Sequence, residues 1–163
     1  MAEANGQRVR VLIVDDEPDI REMLCDLLAL NYDCAAAASA EDALAQLRES
    51  TFQLVVSDIT MGGMSGLEMI PHVRRLSPGT VVVMISGMQT IESAIEALRL
   101  GAFDYIMKPF DLRQVEAAVC RALETYELRE AKRRYETELE ELVEQRTVEL
   151  DRALFSLEDA YRS

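Results

Sequence analysis

Four short apolar stretches, each followed by a charged or polar residue, constrain the fold of this chain most strongly. They cover residues 9–14, 52–56, 81–85 and 103–107. The residues placed at their ends are, in chain order, the pair Asp15 and Asp16, then Asp58, Ser86 and Lys108. Because the carboxyl ends of parallel strands in an open α/β sheet face one crevice, we expect these side chains to converge. The pattern therefore predicts a buried parallel sheet with an acidic pocket at the ends of its strands.

Three carboxylates in one pocket need a balancing charge. Two carboxylates about 4 Å apart repel each other by roughly 4 kcal/mol at an effective dielectric constant near 20. Asp15, Asp16 and Asp58 therefore need a bound cation, or raised pKa values, to share a pocket. All-oxygen ligands around a small open site suit Mg²⁺, which keeps several waters and binds phosphate oxygens, with Mn²⁺ as an alternative. These residue types point to phosphoryl transfer.

Strand-like and helix-like segments alternate five times along the chain, which predicts a parallel sheet covered by helices on both faces. Helix boundaries are marked locally: Ser65 stands three residues before Glu68 as an N-terminal cap, and Gly101 ends the fourth helix. The second strand, near residues 33–38, is predicted from the alternation alone, because its Ala-rich sequence has a low strand propensity. The fold class is α/β.

After Asp111 the helical pattern continues to the end of the sequence, because residues 110–163 contain neither Gly nor Pro. A helix of about 50 residues would be about 75 Å long, more than a domain of this size can bury. Its apolar residues recur every eleven positions, which predicts a parallel two-stranded coiled coil, with local fraying at Arg146. A solvated single helix is the alternative, but such a helix needs no apolar stripe. The predicted dimer stripe consists of Leu128, Tyr135, Leu139, Leu142, Leu150, Leu154, Leu157 and Tyr161.

The ordered set of strand-end residues resembles the receiver domain of bacterial two-component response regulators. The features that carry the resemblance are an acidic pair after the first strand, one Asp after the third, a Ser after the fourth and Lys-Pro after the fifth. The resemblance implies a flavodoxin-like, doubly wound five-stranded parallel sheet with strand order 2-1-3-4-5. The predicted organisation is a disordered N-terminus at residues 1–7, a receiver domain at residues 8–125 and a helical linker at residues 126–163.

The resemblance also implies a role for each pocket residue. Asp58 would be the phosphoacceptor, taking a phosphoryl group from a phosphohistidine on a sensor histidine kinase or a phosphotransfer protein. Asp16 would bind Mg²⁺ directly and Asp15 through water, and Asp58 and the main-chain carbonyl of Thr60 would complete the ligands. Lys108 would pair with Asp58 and afterwards with the phosphate, as a compact charge on a flexible stem.

The same resemblance implies a conformational switch at Ser86 and Tyr105. It also implies a timer, the pair Thr60 and Met88, which would set the lifetime of the phosphoryl group. The Ser86 hydroxyl would move toward the phosphate, and the ring of Tyr105 would turn inward behind it. The peptide bond before Pro109 is expected to be cis. Thr60 and Met88, each two residues beyond a site residue, would influence attack by hydrolytic water. Because Met88 is apolar and bulky, we expect a phosphoryl group that lasts minutes or longer.

The helical linker has a resemblance of its own. Residues 139–150 resemble linkers that precede cyclic-di-GMP phosphodiesterase domains of the HD type, and also linkers before histidine kinases. The helical pattern reaches Ser163 without a capping residue, so we expect an output domain beyond it. The chain itself is expected to be a signalling switch and not an enzyme, acting as a homodimer through the coiled coil.

Two other interpretations stay open at the level of sequence. A small Mg²⁺-dependent phosphatase of the haloacid-dehalogenase type would use an Asp nucleophile in an Asp-x-Asp motif after the first strand, whereas this chain has adjacent Asp15 and Asp16 there and its isolated Asp58 two strands later. A structural dimerisation module would have the same helix and a pocket that never responds to phosphate. Turnover of a phosphate ester would favour the phosphatase. Absence of Mg²⁺ affinity would favour the structural dimerisation module.

The composition narrows the expected partners and compartment. The 17 basic and 30 acidic residues give a net charge of −13, and acids are in excess in both residues 1–125 and residues 126–163. No basic stripe is available, so direct nucleic-acid binding is not expected. Cys25, Cys34 and Cys120 lack zinc or redox spacing, which is typical of reduced thiols in a cytoplasmic protein. No apolar run approaches the ~20 residues that span a membrane, so no membrane partner is expected.

Overall fold

Strands and helices alternate from β3 to the end of the chain, after two short strands at the N-terminus. The computed structural model describes residues 3–4, 6–87 and 90–163, so Met88 of the predicted timer lies outside the described residues. The elements are β1 (Glu3–Ala4), β2 (Gln7–Arg8), β3 (Arg10–Val14), α1 (Pro18–Leu28), β4 (Asp33–Ala37), α2 (Ala40–Glu49), β5 (Leu54–Asp58), α3 (Gly66–Leu76), β6 (Val81–Ser86), α4 (Ile91–Leu100), β7 (Asp104–Met107) and α5 (Leu112–Arg162).

Five of the strands form one parallel sheet in the order β4-β3-β5-β6-β7. Counted within this sheet alone, the order is 2-1-3-4-5, which confirms the predicted topology. The register pairs Asp58 with Ile85 and Ser86 with Met107, so these strands end at nearly the same level. A separate antiparallel pair joins β1 and β2, and all of it except Arg8 lies in residues 1–7, for which the sequence predicts disorder.

The central strands are buried on both faces, which explains their continuous apolar sequences. In β3, Val11 and Ile13 belong to the core cluster that includes α1 and the first turns of α5. Leu12 and Val14 point the other way, into the cluster that includes α2, α3 and α4. All four side chains are inaccessible to solvent. The helices therefore cover both faces of the sheet, and the open ends of the strands are left for a functional site.

The local boundary signals are confirmed. The side chain of Ser65 accepts a hydrogen bond from the Glu68 N–H at 3.1 Å and begins α3. Gly101 ends α4 in the left-handed region at φ 116°, where a side chain would be strained. The weakly predicted second strand is present as β4, although Ala residues fill most of it. Here the pairing with β3 outweighs the low propensity.

Helix α5 has 51 residues, which confirms the predicted long C-terminal helix. The chain divides into two compact units, Met1–Glu127 and Leu128–Ser163. In the second unit the side chains from residue 131 onward are exposed, and those of the dimer stripe range from 48% exposed at Leu139 to 94% at Tyr161. The coiled coil stays a prediction. Among the described residues, no helix is long and apolar enough to cross a membrane.

Candidate functional site

Three carboxylates meet at the carboxyl ends of β3 and β5. Asp58 is the last residue of β5, and Asp15 and Asp16 follow directly after β3, its neighbour in the sheet. Each of the three offers an oxygen within 4.8 Å of the others. Asp15 is 2% exposed and Asp58 5%, whereas Asp16 is exposed. The three carboxylates therefore converge, as the strand-end pattern predicts. The structure adds that two of them are buried and one is exposed.

Lys108 supplies the positive charge of this site. Its Nζ lies 3.2 Å from Asp58 Oδ2 and 3.5 Å from Asp15 Oδ2, with Glu17 Oε1 farther away at 4.0 Å. The main-chain N–H of Lys108 donates a hydrogen bond to the main-chain oxygen of Ser86 at 2.8 Å, which fixes the backbone at the end of β7. Burial lowers the pKa of Lys108, but the charges of Asp58 and Asp15 outweigh burial, and the pKa is raised. The side chain is therefore an ammonium at neutral pH.

Asp15 is held from several sides. Its Oδ1 accepts the Glu17 N–H at 2.9 Å, and its main-chain oxygen accepts Nη1 of Arg21 at 2.7 Å. Burial raises the pKa of Asp15 and Asp58 adds to the rise, against the Glu17 N–H and Lys108, which lower it. Arg21 and Glu17 were not predicted as site residues. An arginine six positions after an aspartate has no sequence signal of its own, because its direction depends on where α1 begins.

The main chain around Asp58 is packed tightly. The Thr60 N–H lies 3.4 Å from Asp58 Oδ1, and the Gly66 N–H donates to the oxygen of Ile59 at 2.8 Å. A Cβ at Gly66 would overlap the main-chain oxygen of Asp58 and lie 2.6 Å from Cε of Met84. Gly66 therefore allows α3 to begin directly against the end of β5. This close approach was also missed, since the sequence shows the glycine but not its neighbour.

The predicted switch residues lie on β6 and β7, the two strands that follow β5 toward one edge of the sheet. Ser86 is fully buried at the end of β6. Tyr105 is half-buried on β7, packs against the core, and lines a groove of about 580 Å³ between α4 and β7 together with Ile95 and Leu98. The Lys108–Pro109 peptide bond is cis.

The donor set of the pocket fits a hard divalent cation. It contains carboxylate oxygens from Asp15, Asp16 and Asp58, and the loop after β5 begins at the same end of the sheet. Oxygen donors of this kind suit Mg²⁺ or Mn²⁺, and softer metals would require thiolate or imidazole. Lys108 alone leaves the three carboxylates with excess negative charge. A bound cation would balance it.

The fold and this site define a doubly wound α/β domain whose functional residues lie at the carboxyl ends of its parallel strands. The family model of the response regulator receiver domain matches residues 11–120, and the chain belongs to this family of two-component signalling proteins. The receiver resemblance of the sequence is thereby confirmed. The identity of an output domain is not shown by this match.

Two regulators and one solved structure illustrate the relationship. The transcriptional regulatory protein ZraR of Salmonella typhimurium is 35% identical over 117 residues, which are 71% of this chain and 26% of that protein. The nitrogen assimilation regulatory protein NtrX of Azorhizobium caulinodans is 38% identical over 141 residues, 85% of this chain and 30% of that protein. The chain thus spans less than a third of the length of these relatives. A CheY-like receiver domain from Methanospirillum hungatei superposes with a TM-score of 0.72 at 31% identity, covering 76% of this chain and 99% of that chain.

Proposed function

We propose that this chain is the phosphoacceptor switch of a two-component system and that Asp58 carries the phosphoryl group. The observation that carries the proposal is the setting of Asp58: a carboxylate 5% exposed, 3.2 Å from the Lys108 ammonium, beside two more carboxylates. A buried carboxylate that contacts an ammonium and lies in a cluster of carboxylates able to hold a divalent cation is equipped to form an acyl phosphate. The donor would be a sensor histidine kinase or a phosphotransfer protein.

The reaction would be a single displacement at phosphorus. An Asp58 carboxylate oxygen forms the new P–O bond while the P–N bond of the donor phosphohistidine breaks and its nitrogen keeps the electron pair. Lys108 then pairs with a phosphoryl oxygen in place of the Asp58 oxygen. Asp15, Asp16, Asp58 and the Thr60 carbonyl would hold Mg²⁺, which when bound neutralises charge on the transferred group. Asp15 also keeps Lys108 close to the site during the exchange, because it contacts the same ammonium.

Phosphorylation would change the positions of Ser86 and Tyr105. Phosphoryl oxygens are strong hydrogen-bond acceptors, so they would draw the Ser86 hydroxyl toward Asp58. That movement leaves space behind the serine, which the ring of Tyr105 would enter from β7. Because Tyr105 lines the groove beside α4, its movement would change the shape of that surface.

The output would be transmitted through a homodimer built on α5. The same helix contributes Val115 and Ala118 to the core and carries the dimer stripe farther along. The exposed stripe would be covered by a second copy in a parallel coiled coil, so that a change at the root of the helix biases its pairing. Thr60, together with Met88, would set how long the signal lasts, in the range of minutes or longer.

Beryllofluoride, a stable mimic of a phosphoryl group, tests this proposal through ¹⁹F NMR. Wild type with Mg²⁺ is expected to give a bound fluoride signal, because the beryllium accepts the Asp58 carboxylate oxygen. Asp58→Asn is expected to give none. A control variant, Glu68→Gln, removes a carboxylate from the first turn of α3 and should bind as wild type does. Absence of a signal from wild type, or equal signals from wild type and Asp58→Asn, would contradict the proposal.

A further inference from the structure

The loop between β5 and α3 is held by a carboxylate from a different helix. Glu41, in the first turn of α2, accepts the Met64 N–H at 2.9 Å through Oε1. Hydrogen bonds to an ionised acceptor are roughly twice as strong as neutral ones. The same hydrogen bond lowers the pKa of Glu41, so the acceptor is ionised at neutral pH. An exposed side chain thus makes a directed contact with the backbone of the site loop.

A second feature of the loop matches this contact. Gly63 has φ 78°, and a Cβ at this position would lie 2.9 Å from Glu41 Oε1. A Cβ at Gly62, by contrast, would have no atom within 4 Å. The carboxylate of Glu41 is therefore seated against the turn at Gly63, in space that any other residue would fill.

The contact falls where the loop is least constrained by its own sequence. Ile59 is tied to α3 through the Gly66 N–H, and Met61 is buried at 8% exposure. Between these anchors and α3 come two glycines, whose backbones have wide conformational freedom. Thr60, the residue expected to offer a carbonyl to the cation, stands between the anchors Ile59 and Met61. Because Met61 adjoins Gly62, movement of the glycine turn would shift Met61 and the Thr60 carbonyl with it. The Glu41 hydrogen bond to Met64 limits this movement.

We propose that Glu41 is a positioning residue of the cation site: by holding the turn at residues 62–64, it keeps the Thr60 carbonyl in the conformation that binds Mg²⁺. This inference rests on the proposed function, which makes Thr60 a ligand. Glu41 is not among the residues that would hold the cation. It acts through the backbone of the loop, as supporting residues around metal ligands do.

Calorimetric titration with Mg²⁺ tests the inference on the full chain. Glu41→Ala is expected to raise the Mg²⁺ dissociation constant about tenfold, the lower end of the range for such supporting residues. Glu41→Gln should remain within about twofold of wild type, because its amide oxygen accepts the same hydrogen bond. Asp42→Ala is the matched control: it removes the neighbouring charge from the same turn of α2, and Asp42 has no side-chain contact to the loop among the described hydrogen bonds and ion pairs.

A second variant approaches the same contact from the loop. Gly63→Ala would displace the Glu41 carboxylate and should weaken Mg²⁺ binding. In the Glu41→Ala background that clash is gone, so the double variant should bind more tightly than the product of the two single effects requires. Independent, multiplicative effects would overturn the inference, as would equal losses in Glu41→Ala and Asp42→Ala or a failure of Glu41→Gln to restore affinity.

The two levels of the account fail differently. If wild type binds Mg²⁺ and beryllofluoride but Glu41→Ala binds Mg²⁺ equally well, the positioning role is wrong and the proposed function stands. If wild type binds neither, the proposed function is wrong, and the role of Glu41 is overturned with it.

Discussion

Lys108 is the side chain on which the charge balance of the acidic pocket most depends. It contacts both buried carboxylates, Asp58 and Asp15, and is itself only 17% exposed. Its ammonium stabilises charges that burial disfavours, and it contacts Oδ2 of Asp58, the proposed phosphoacceptor. In the proposed function, stability and phosphoryl transfer would therefore depend on the same residue.

Lys108→Ala is expected to lower the free energy of unfolding, measured by urea in the absence of divalent cations, by about 1–3 kcal/mol, the cost of leaving buried polar groups unpaired. Added Mg²⁺ should reduce this loss, because a cation bound to the folded state replaces the missing charge. Lys132→Ala is the control, since the one ion pair of Lys132 within the described part of the chain is an exposed pair with Glu136 at 3.8 Å. Equal losses in the two variants, or no effect of Mg²⁺ on the difference, would contradict this picture.

The thiol of Cys34 is predicted to be unreactive in the folded protein. Burial, with the neighbouring charges of Cys25 and Asp33 adding to it, raises the pKa of Cys34 to about 12. At pH 8 only about one thiol in 10,000 would then be the reactive thiolate. Iodoacetamide should modify the exposed Cys120 first and Cys34 only on unfolding, as read by peptide mass mapping. Modification of Cys34 as fast as Cys120 would show that its environment is wrongly described.

The same shift gives a pH dependence with a definite sign. In the unfolded chain the Cys34 thiol ionises near pH 9, whereas the folded protein keeps the proton up to about pH 12. Its contribution to stability is therefore complete below pH 9 and is lost as the pH rises toward 12. Urea midpoints at pH 8 and pH 10.5 should differ more for wild type than for Cys34→Ala.

The helices and loops around the strand ends hold the site by close backbone contacts. The junction between β5 and α3 is the tightest of these, because Gly66 stands directly against the main-chain oxygen of Asp58. Any side chain there must displace either the end of β5 or the start of α3. The loop that carries Thr60 would be displaced with them.

Gly66→Ala is expected to lower the free energy of unfolding by about 1–3 kcal/mol, the usual cost of forcing extra volume into a packed site. It should also reduce beryllofluoride binding, because Asp58 moves. Gly62→Ala is a matched control in the same loop, where an added Cβ meets nothing within 4 Å. If Gly66→Ala and Gly62→Ala bind beryllofluoride equally well, the junction does not position Asp58.

The strand-end site was predictable from the sequence because the parallel topology of the sheet determines which residues converge. Asp15 and Lys108 are 93 residues apart, yet both follow apolar runs, and parallel strands bring such ends together. The length of α5 was equally predictable, since no Gly or Pro interrupts it. These features depend on patterns that many residues share, so that single exceptions such as the Ala-rich β4 do not obscure them.

The supporting contacts were not predictable for the opposite reason. The Glu41 hydrogen bond to Met64, the Arg21 hydrogen bond to Asp15 and the approach of Gly66 to Asp58 each join one pair of atoms from separate segments. Their formation depends on the placement of helices to within about an ångström. No periodicity or spacing in the sequence encodes such a distance.

The whole molecule consists of a receiver domain with a buried core and a long helix, α5, whose apolar stripe is exposed to solvent in the single chain. Isolated exposed apolar residues are ordinary, but a stripe repeated every eleven residues over several turns is typical of a helix that pairs. Arg146 lies eleven residues after Tyr135 and eleven before Leu157, so it occupies a position of the dimer stripe. It makes an ion pair with Glu149 on its own helix at 3.0 Å. At the centre of a dimer interface it would be the weakest layer.

Arg146→Leu is therefore expected to lower the dimer dissociation constant about tenfold or more, since each newly buried Leu contributes about 1.5–3 kcal/mol. Sedimentation equilibrium of the full chain measures this directly. Arg152→Leu adds the same side chain away from the stripe and should leave the constant unchanged. If wild type and both variants are all monomeric, the predicted coiled coil is wrong.

The most direct test of the central claim is intact mass after incubation with Mg²⁺ and a small acyl-phosphate donor, on wild type and Asp58→Asn. We predict one added phosphoryl group on wild type and none on Asp58→Asn, because Asp58 is the proposed acceptor. An unmodified wild type, or one phosphoryl group on both proteins, would contradict the account.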